Sequence, residues 1–94
     1  MKDLDELKKQ LKEEGYKEIY EWTDAPNYEY LPHKHETETT LMVLKGDITV
    51  TIEGNTKKYV SGERVTVPAQ KKHYAKVGSK GASYLVGEEK KIML

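Results

Sequence analysis

Residues Gly46–Gly62 read GDITVTIEGNTKKYVSG. Ile48, Val50 and Ile52 fall on one side of an extended chain and Thr49 and Thr51 on the other, because strand side chains alternate with a period of two. Gly54-Asn55 is a two-residue hairpin signal, since the tight turns that suit twisted antiparallel strands need positive backbone φ, which these residues accept. Thr56–Val60 returns, and Ser61-Gly62 turns again. The stretch predicts two antiparallel strands with one apolar face.

The same grammar extends in both directions. Toward the C-terminus, Arg64–Val67 is a short strand ended by Pro68. His73–Val77 and Ala82–Val86 follow as two strands divided by a turn over Gly78–Gly81. Toward the N-terminus, Thr39–Leu44 is broken from the hairpin by Gly46-Asp47. Tyr28–His35 and Tyr16–Thr23 are further extended runs, joined by the turn residues Asp24–Asn27. Many short strands closely punctuated by turns predict an all-β barrel or sandwich. Only residues 3–14 break the pattern. Leu4, Leu7 and Leu11 recur at helical spacing, Asp3 with Glu6 makes a capping pair, and Gly15 is a stop. So short a helix needs a surface to pack on, and its leucine stripe is expected to dock on the main body. The predicted organisation is a single domain, with residues 1–15 as an N-terminal helix packed on a barrel of residues 16–94.

Composition excludes several function classes. The 94 residues carry 16 basic and 16 acidic side chains, so there is no net charge to neutralise phosphates, and nucleic acid is not an expected partner. No apolar run approaches the roughly 18 residues that cross a bilayer, and no cationic amphipathic segment suits a membrane surface. The polar start, MKDLDELKKQ, does not read as a signal peptide, and a cytoplasmic location is expected. Without cysteine there are no disulfides, thiolate ligands or thiol nucleophiles.

Chemistry concentrates in Pro32–Leu41, PHKHETETTL. In an extended strand His33 and His35 project to the same side, the local geometry for two ligands on a divalent transition metal. If that side is buried, a cation would satisfy both rings at once, whereas without one each needs its own hydrogen-bond partner. His73, the third histidine of the chain, begins a later strand and can approach from across a barrel.

These residues resemble the cupin family. Its first motif runs glycine, five residues, H-x-H, three or four residues, glutamate, six residues, glycine. The second runs glycine, five residues, P-x-G, two residues, histidine, three residues, asparagine. His33 and His35 match the H-x-H pair and Gly46 the closing glycine, while Gly62, Pro68 and His73 match the second motif. The likeness spans about residues 20 to 86. Asn27 stands for the opening glycine, Gln70 for the glycine of P-x-G, and Val77 for the asparagine. Thr39 occupies the position of the glutamate that binds metal in the family. The adjacent Glu38 is one residue early. It faces the histidines only if a β-bulge intervenes, since a one-residue shift reverses side-chain direction.

The resemblance implies a double-stranded β-helix, or jelly-roll barrel, with a divalent transition metal (iron, nickel, zinc, copper, manganese or cobalt) held by His33, His35 and His73. Thr39 and Glu38 are expected near it, and strand parity assigns Leu31, Leu41, Val43 and Ala75 to the pocket wall. Three-histidine cupins include dioxygenases of thiols and of diketones, so one implied function is a metal-dependent dioxygenase acting on a small molecule. The alternative is a non-enzymatic metal- or metabolite-binding module, and a third reading is a decayed site. Tyr28, Tyr30, Tyr74 and Trp22 are expected in core or interface roles. Met42 and Leu44 make their strand apolar on both sides, which predicts a homodimer through the Met42 face or the N-terminal segment.

Overall fold

The computed structural model describes residues 3–90. The outer ends of both predicted units, residues 1–2 and 91–94, lie outside the described residues. One helix, α1 (Leu4–Glu13), precedes six strands: β1 (Tyr16–Asp24), β2 (Glu29–His33), β3 (Thr39–Ile52), β4 (Asn55–Val60), β5 (Arg64–Val67) and β6 (His73–Lys90). No helix among the described residues is long and apolar enough to cross a membrane.

β3 and β6 form the spine. They pair antiparallel from Thr40↔Gly87 to Ile52↔His73. The first part of β3 and the last part of β6 are flanked by β5 and β1; the other parts are flanked by β4 and β2. The sheet folds over between these halves, so that Val43, Val65, Tyr84 and Val86 of one pack with Ile48, Val50, Ala75 and Val77 of the other in a single buried cluster. This is the jelly-roll arrangement.

The fold-over explains two differences from the sequence reading. Gly46-Asp47 and Gly78–Gly81 were expected to end strands, but β3 and β6 run through them. Gly46 and Gly81 both have positive φ, 76° and 77°. A Cβ on Gly46 would lie 2.0 Å from the carbonyl oxygen of Gly81. The glycines thus let two hydrogen-bonded strands bend together at close approach, and the ladder resumes beyond shifts in register. The hairpin turn also sits one residue earlier than expected. Ile52 pairs with Asn55, which leaves Glu53 and Gly54, with φ of 47° and 85°, as the turn.

α1 starts as its sequence suggests, with the Asp3 carboxylate accepting from the Glu6 amide at 2.9 Å. Its stripe covers the outer side of the barrel: Leu11, fully buried, packs with Tyr16, Met42 and Leu85, and Leu4, Leu7, Ile19 and Leu44 surround them. The Met42 face, one of the two surfaces expected to meet a second copy, carries the chain's own helix. That accounts for the apolarity of both sides of the strand. At the helix end the Glu14 carboxylate is gripped by both terminal nitrogens of Arg64, at 2.6 and 2.9 Å.

Candidate functional site

The fold brings the three histidines together. His33 ends β2 and stands in register with His73, the first residue of β6. His35 lies just beyond β2, in a loop held by the Gln70 amide, which donates to the His35 carbonyl at 2.9 Å. Gln70 makes this contact with φ of 63°, and Asn27 has φ of 61°. At both positions where the family pattern has glycine, these side chains tolerate the left-handed backbone the turn requires.

One potential ligand nitrogen from each ring lies within 4.8 Å of the others. His33 Nδ1 is 2.7 Å from the Leu31 carbonyl, and His73 Nδ1 is 3.1 Å from the Lys71 carbonyl. A carbonyl only accepts, so each Nδ1 carries the proton and each Nε2 presents its lone pair. His33 Nε2 and His35 Nε2 are 3.3 Å apart. Burial, and then the neighbouring rings, lower the pKa of His35. Burial likewise lowers that of His73, against the opposing effect of the Lys71 carbonyl. Three converging ring nitrogens, two of them on rings oriented through Nδ1 by a backbone carbonyl, fit a divalent transition metal.

Thr39 is buried and lines the same cavity as the histidines, and its hydroxyl has no hydrogen-bond partner among the described residues. Glu38 points away. Its carboxylate accepts from the Tyr16 hydroxyl and pairs with Lys90 Nζ at 3.4 Å on the outer side, so the bulge that would have turned it inward is not present. Burial, together with the Glu38 carboxylate, pushes the Tyr16 hydroxyl up to about 12. Glu36 is exposed.

The histidines sit in the wall of a cavity of about 540 Å³. Of the residues assigned to the wall by parity, Leu41 and Ala75 line it, with Thr39. Val43 does not; it is packed into the core. Leu31 does not either: it is 77% exposed and borders a separate hollow on the outer surface. The cause is a bulge. Tyr30 pairs with Ala75 and His33 with His73, so β2 spends one residue more than β6 over this interval. That extra residue reverses parity, turning Tyr30 into the cavity and Leu31 out.

A second polar group lines the cavity, and the sequence reading missed it. Asp24, only 7% exposed, ends β1. Its Oδ1 accepts from Trp22 Nε1 at 2.9 Å, and the Tyr30 hydroxyl lies 2.7 and 2.8 Å from its two oxygens. The buried Tyr84 hydroxyl makes no hydrogen bond of normal geometry among the described residues, although the Asp24 carboxylate is near enough to act on it. Burial, then the Asp24 carboxylate, raises the pKa of both Tyr30 and Tyr84. Trp22, expected in the core, is instead 53% exposed at the cavity wall, and Tyr28 meets Tyr30 edge-on at 4.9 Å between centroids. Tyr20, Trp22 and Asp24 line the cavity at alternate positions of β1, and Thr23 borders it as well where the strand ends. That alternation was the available signal.

Residues 20–87 match the cupin domain family, and the chain belongs to it. No curated protein matches the sequence. Among solved structures, the chain is similar to a conserved protein of unknown function from Streptococcus pyogenes (20% identity, TM-score 0.69), covering 80% of this chain and 65% of that one. It is also similar to an RmlC-like cupin from Shewanella frigidimarina (19% identity, TM-score 0.69; 78% of this chain and 65% of that one). A third similar structure is the DMSP lyase DddQ from Ruegeria pomeroyi, at 19% identity and TM-score 0.69, covering 81% of this chain but 39% of the lyase. The chain thus spans slightly less than two thirds of the first and second of these, and the likeness establishes the fold.

Proposed function

We propose that this cupin binds one divalent transition metal through His33, His35 and His73 and acts with it on a small organic molecule held in the cavity. The observation that carries this reading is the convergence of three ring nitrogens within 4.8 Å in the cavity wall. Three neutral ligands leave the full charge of the cation in place and coordination positions open. When bound, the metal supplies Lewis acidity and, if iron, redox chemistry suited to a dioxygenase. The chain's own residues do the rest. Leu41, Val50, Val67 and Val86 exclude water, the Leu31 and Lys71 carbonyls hold two rings in orientation, and the Thr39 hydroxyl offers a hydrogen bond to what enters.

Elemental analysis of tag-free protein tests the metal, with about one equivalent expected in the native chain and none in His35→Ala. Native protein without stoichiometric metal under any loading condition sinks the reading. Oxygen consumption by the iron-loaded protein with diketones and thiols separates turnover from simple binding. Stoichiometric metal without consumption favours the non-enzymatic module. That second reading draws on the missing fourth ligand, since Glu38 is engaged elsewhere.

A further inference from the structure

The second polar group in the cavity has a chemistry of its own. Asp24 is a buried carboxylate, and among the described residues no lysine or arginine lines the cavity around it. Glu88 adds a second acid to the same wall. Aromatic side chains surround Asp24: Trp22 and Tyr30 are bonded to it, Tyr84 lies close with its hydroxyl unpartnered, and Tyr28 is set edge-on against Tyr30. Ring faces and a buried carboxylate without a cationic partner on the cavity wall both favour a cation, and disfavour an anion, at the same place, which opens to solvent past Trp22 and Tyr28. Two donors from the chain leave part of the acceptor capacity of the carboxylate unused. The hydrogen bonds to Asp24 also hold Trp22 and Tyr30 in place before anything binds, which lowers the ordering cost of binding.

We propose that the cavity takes a small zwitterion, with an ammonium-type cationic head among Trp22, Tyr28, Tyr30 and Asp24 and an anionic end directed to the three histidines. The head site stands on its own residues; the placement of the anionic end rests on the metal reading above. Tyr30 and His33 are three residues apart on β2, about 10 Å at most by strand rise, and both line the one cavity, so a single small molecule can reach from one group toward the other. The free Tyr84 and Thr39 hydroxyls give such a molecule polar partners along the way.

Trp22 is the only tryptophan in the chain, so its emission reports on this site directly. Metal-free protein is titrated with tetramethylammonium chloride. Zinc-loaded protein is titrated with trimethylglycine and with tert-butylacetate, which has the same shape and carboxylate but a neutral head. A saturable change with tetramethylammonium is expected, together with about tenfold or stronger preference for trimethylglycine over tert-butylacetate. Asp24→Asn should weaken both cationic probes about tenfold. If that variant does not fold, Tyr28→Leu, at a position 49% exposed, serves instead, with several-fold weakening expected. Equal binding of trimethylglycine and tert-butylacetate, or no response to tetramethylammonium, overturns the proposal. Zinc uptake is measured separately. Protein that takes up zinc but ignores cationic heads refutes the head site and leaves the metal centre standing. Protein that binds tetramethylammonium but no zinc retains the head site and refutes the placement of the anionic end.

Discussion

The histidine group and the Asp24 group line one cavity, yet they differ in how far the chain completes them. Asp24 has donors supplied from within, by Trp22 and Tyr30. In His33 and His73 the outer nitrogen is held by a backbone carbonyl, while the Nε2 atoms of His33 and His35 face each other and a nitrogen of His73 lies close by. A group of hydrogen-bond acceptors turned toward a common point is unfinished without a cation, whereas a carboxylate with two donors is a stable, pre-shaped wall. Metal should therefore matter more to the order of the first group than ligand does to the second.

The corner that holds both groups in one cavity gives the largest expected effect. Gly46→Ala places a Cβ against the Gly81 carbonyl at a positive φ, so the backbone of both spine strands must move. A loss of about 4 kcal/mol in denaturant unfolding is expected. Near-native stability with both sites intact would show that the two halves do not depend on that close approach.

Next in size is His73→Ala, which leaves two ligands. Zinc affinity should fall by more than the roughly 10–100-fold that follows loss of a ligand's hydrogen-bond partner. Saturating zinc should raise the melting temperature of the native chain by roughly 10 °C, and that of His73→Ala far less. A comparable gain in the Asp24→Asn variant is also expected, because the metal does not need that carboxylate. If Asp24→Asn abolishes the zinc effect, the two groups are a single site and the comparison fails.

The difference between the groups also explains which one the sequence revealed. His33 and His35 sit two apart in one short stretch, and His73 falls at fixed spacing after Gly62 and Pro68, so the motif survives without coordinates. Asp24, Tyr30 and Tyr84 come from three strands and meet only because β6 pairs with both β1 and β2. Alternation gave the β character of the chain, and the helical spacing of Leu4, Leu7 and Leu11 gave the docking of α1. It failed where geometry departs from a regular strand: at the bulge that sends Tyr30 inward and Leu31 outward, and at the glycines that bend β3 and β6 without ending them. A glycine read locally looks like a stop, and only a facing partner strand with its own glycine converts it to a hinge of the sheet.

Smaller effects come from the two unpartnered hydroxyls. Thr39→Val and Tyr84→Phe remove buried polar groups that the chain leaves without hydrogen bonds. Each should leave the unliganded protein equally stable or more stable, by up to about 1 kcal/mol. If they serve bound molecules, the same variants should weaken ligand binding. A clear destabilisation of either variant would mean that the hydroxyl already has a structural partner.

The smallest effect lies outside both groups and serves as their control. Glu14 caps the C-terminal end of α1, where the helix dipole disfavours a carboxylate. The two-pronged hydrogen bond from Arg64 outweighs that and the cost of burial, and holds the Glu14 carboxyl at about 2 against an ordinary 4.5. A carboxyl with a lowered folded pKa binds fewer protons when folded than when unfolded. Its contribution is therefore complete above pH 4.5 and lost as pH falls toward about 2. Both side chains are 29% exposed, so after solvent screening about 1 kcal/mol is expected to disappear over that window. Glu14→Gln should flatten this part of the acid unfolding profile while leaving zinc uptake and Trp22 emission unchanged. A change in either would tie the helix to the cavity and show that the outer face of the barrel is not independent of its interior.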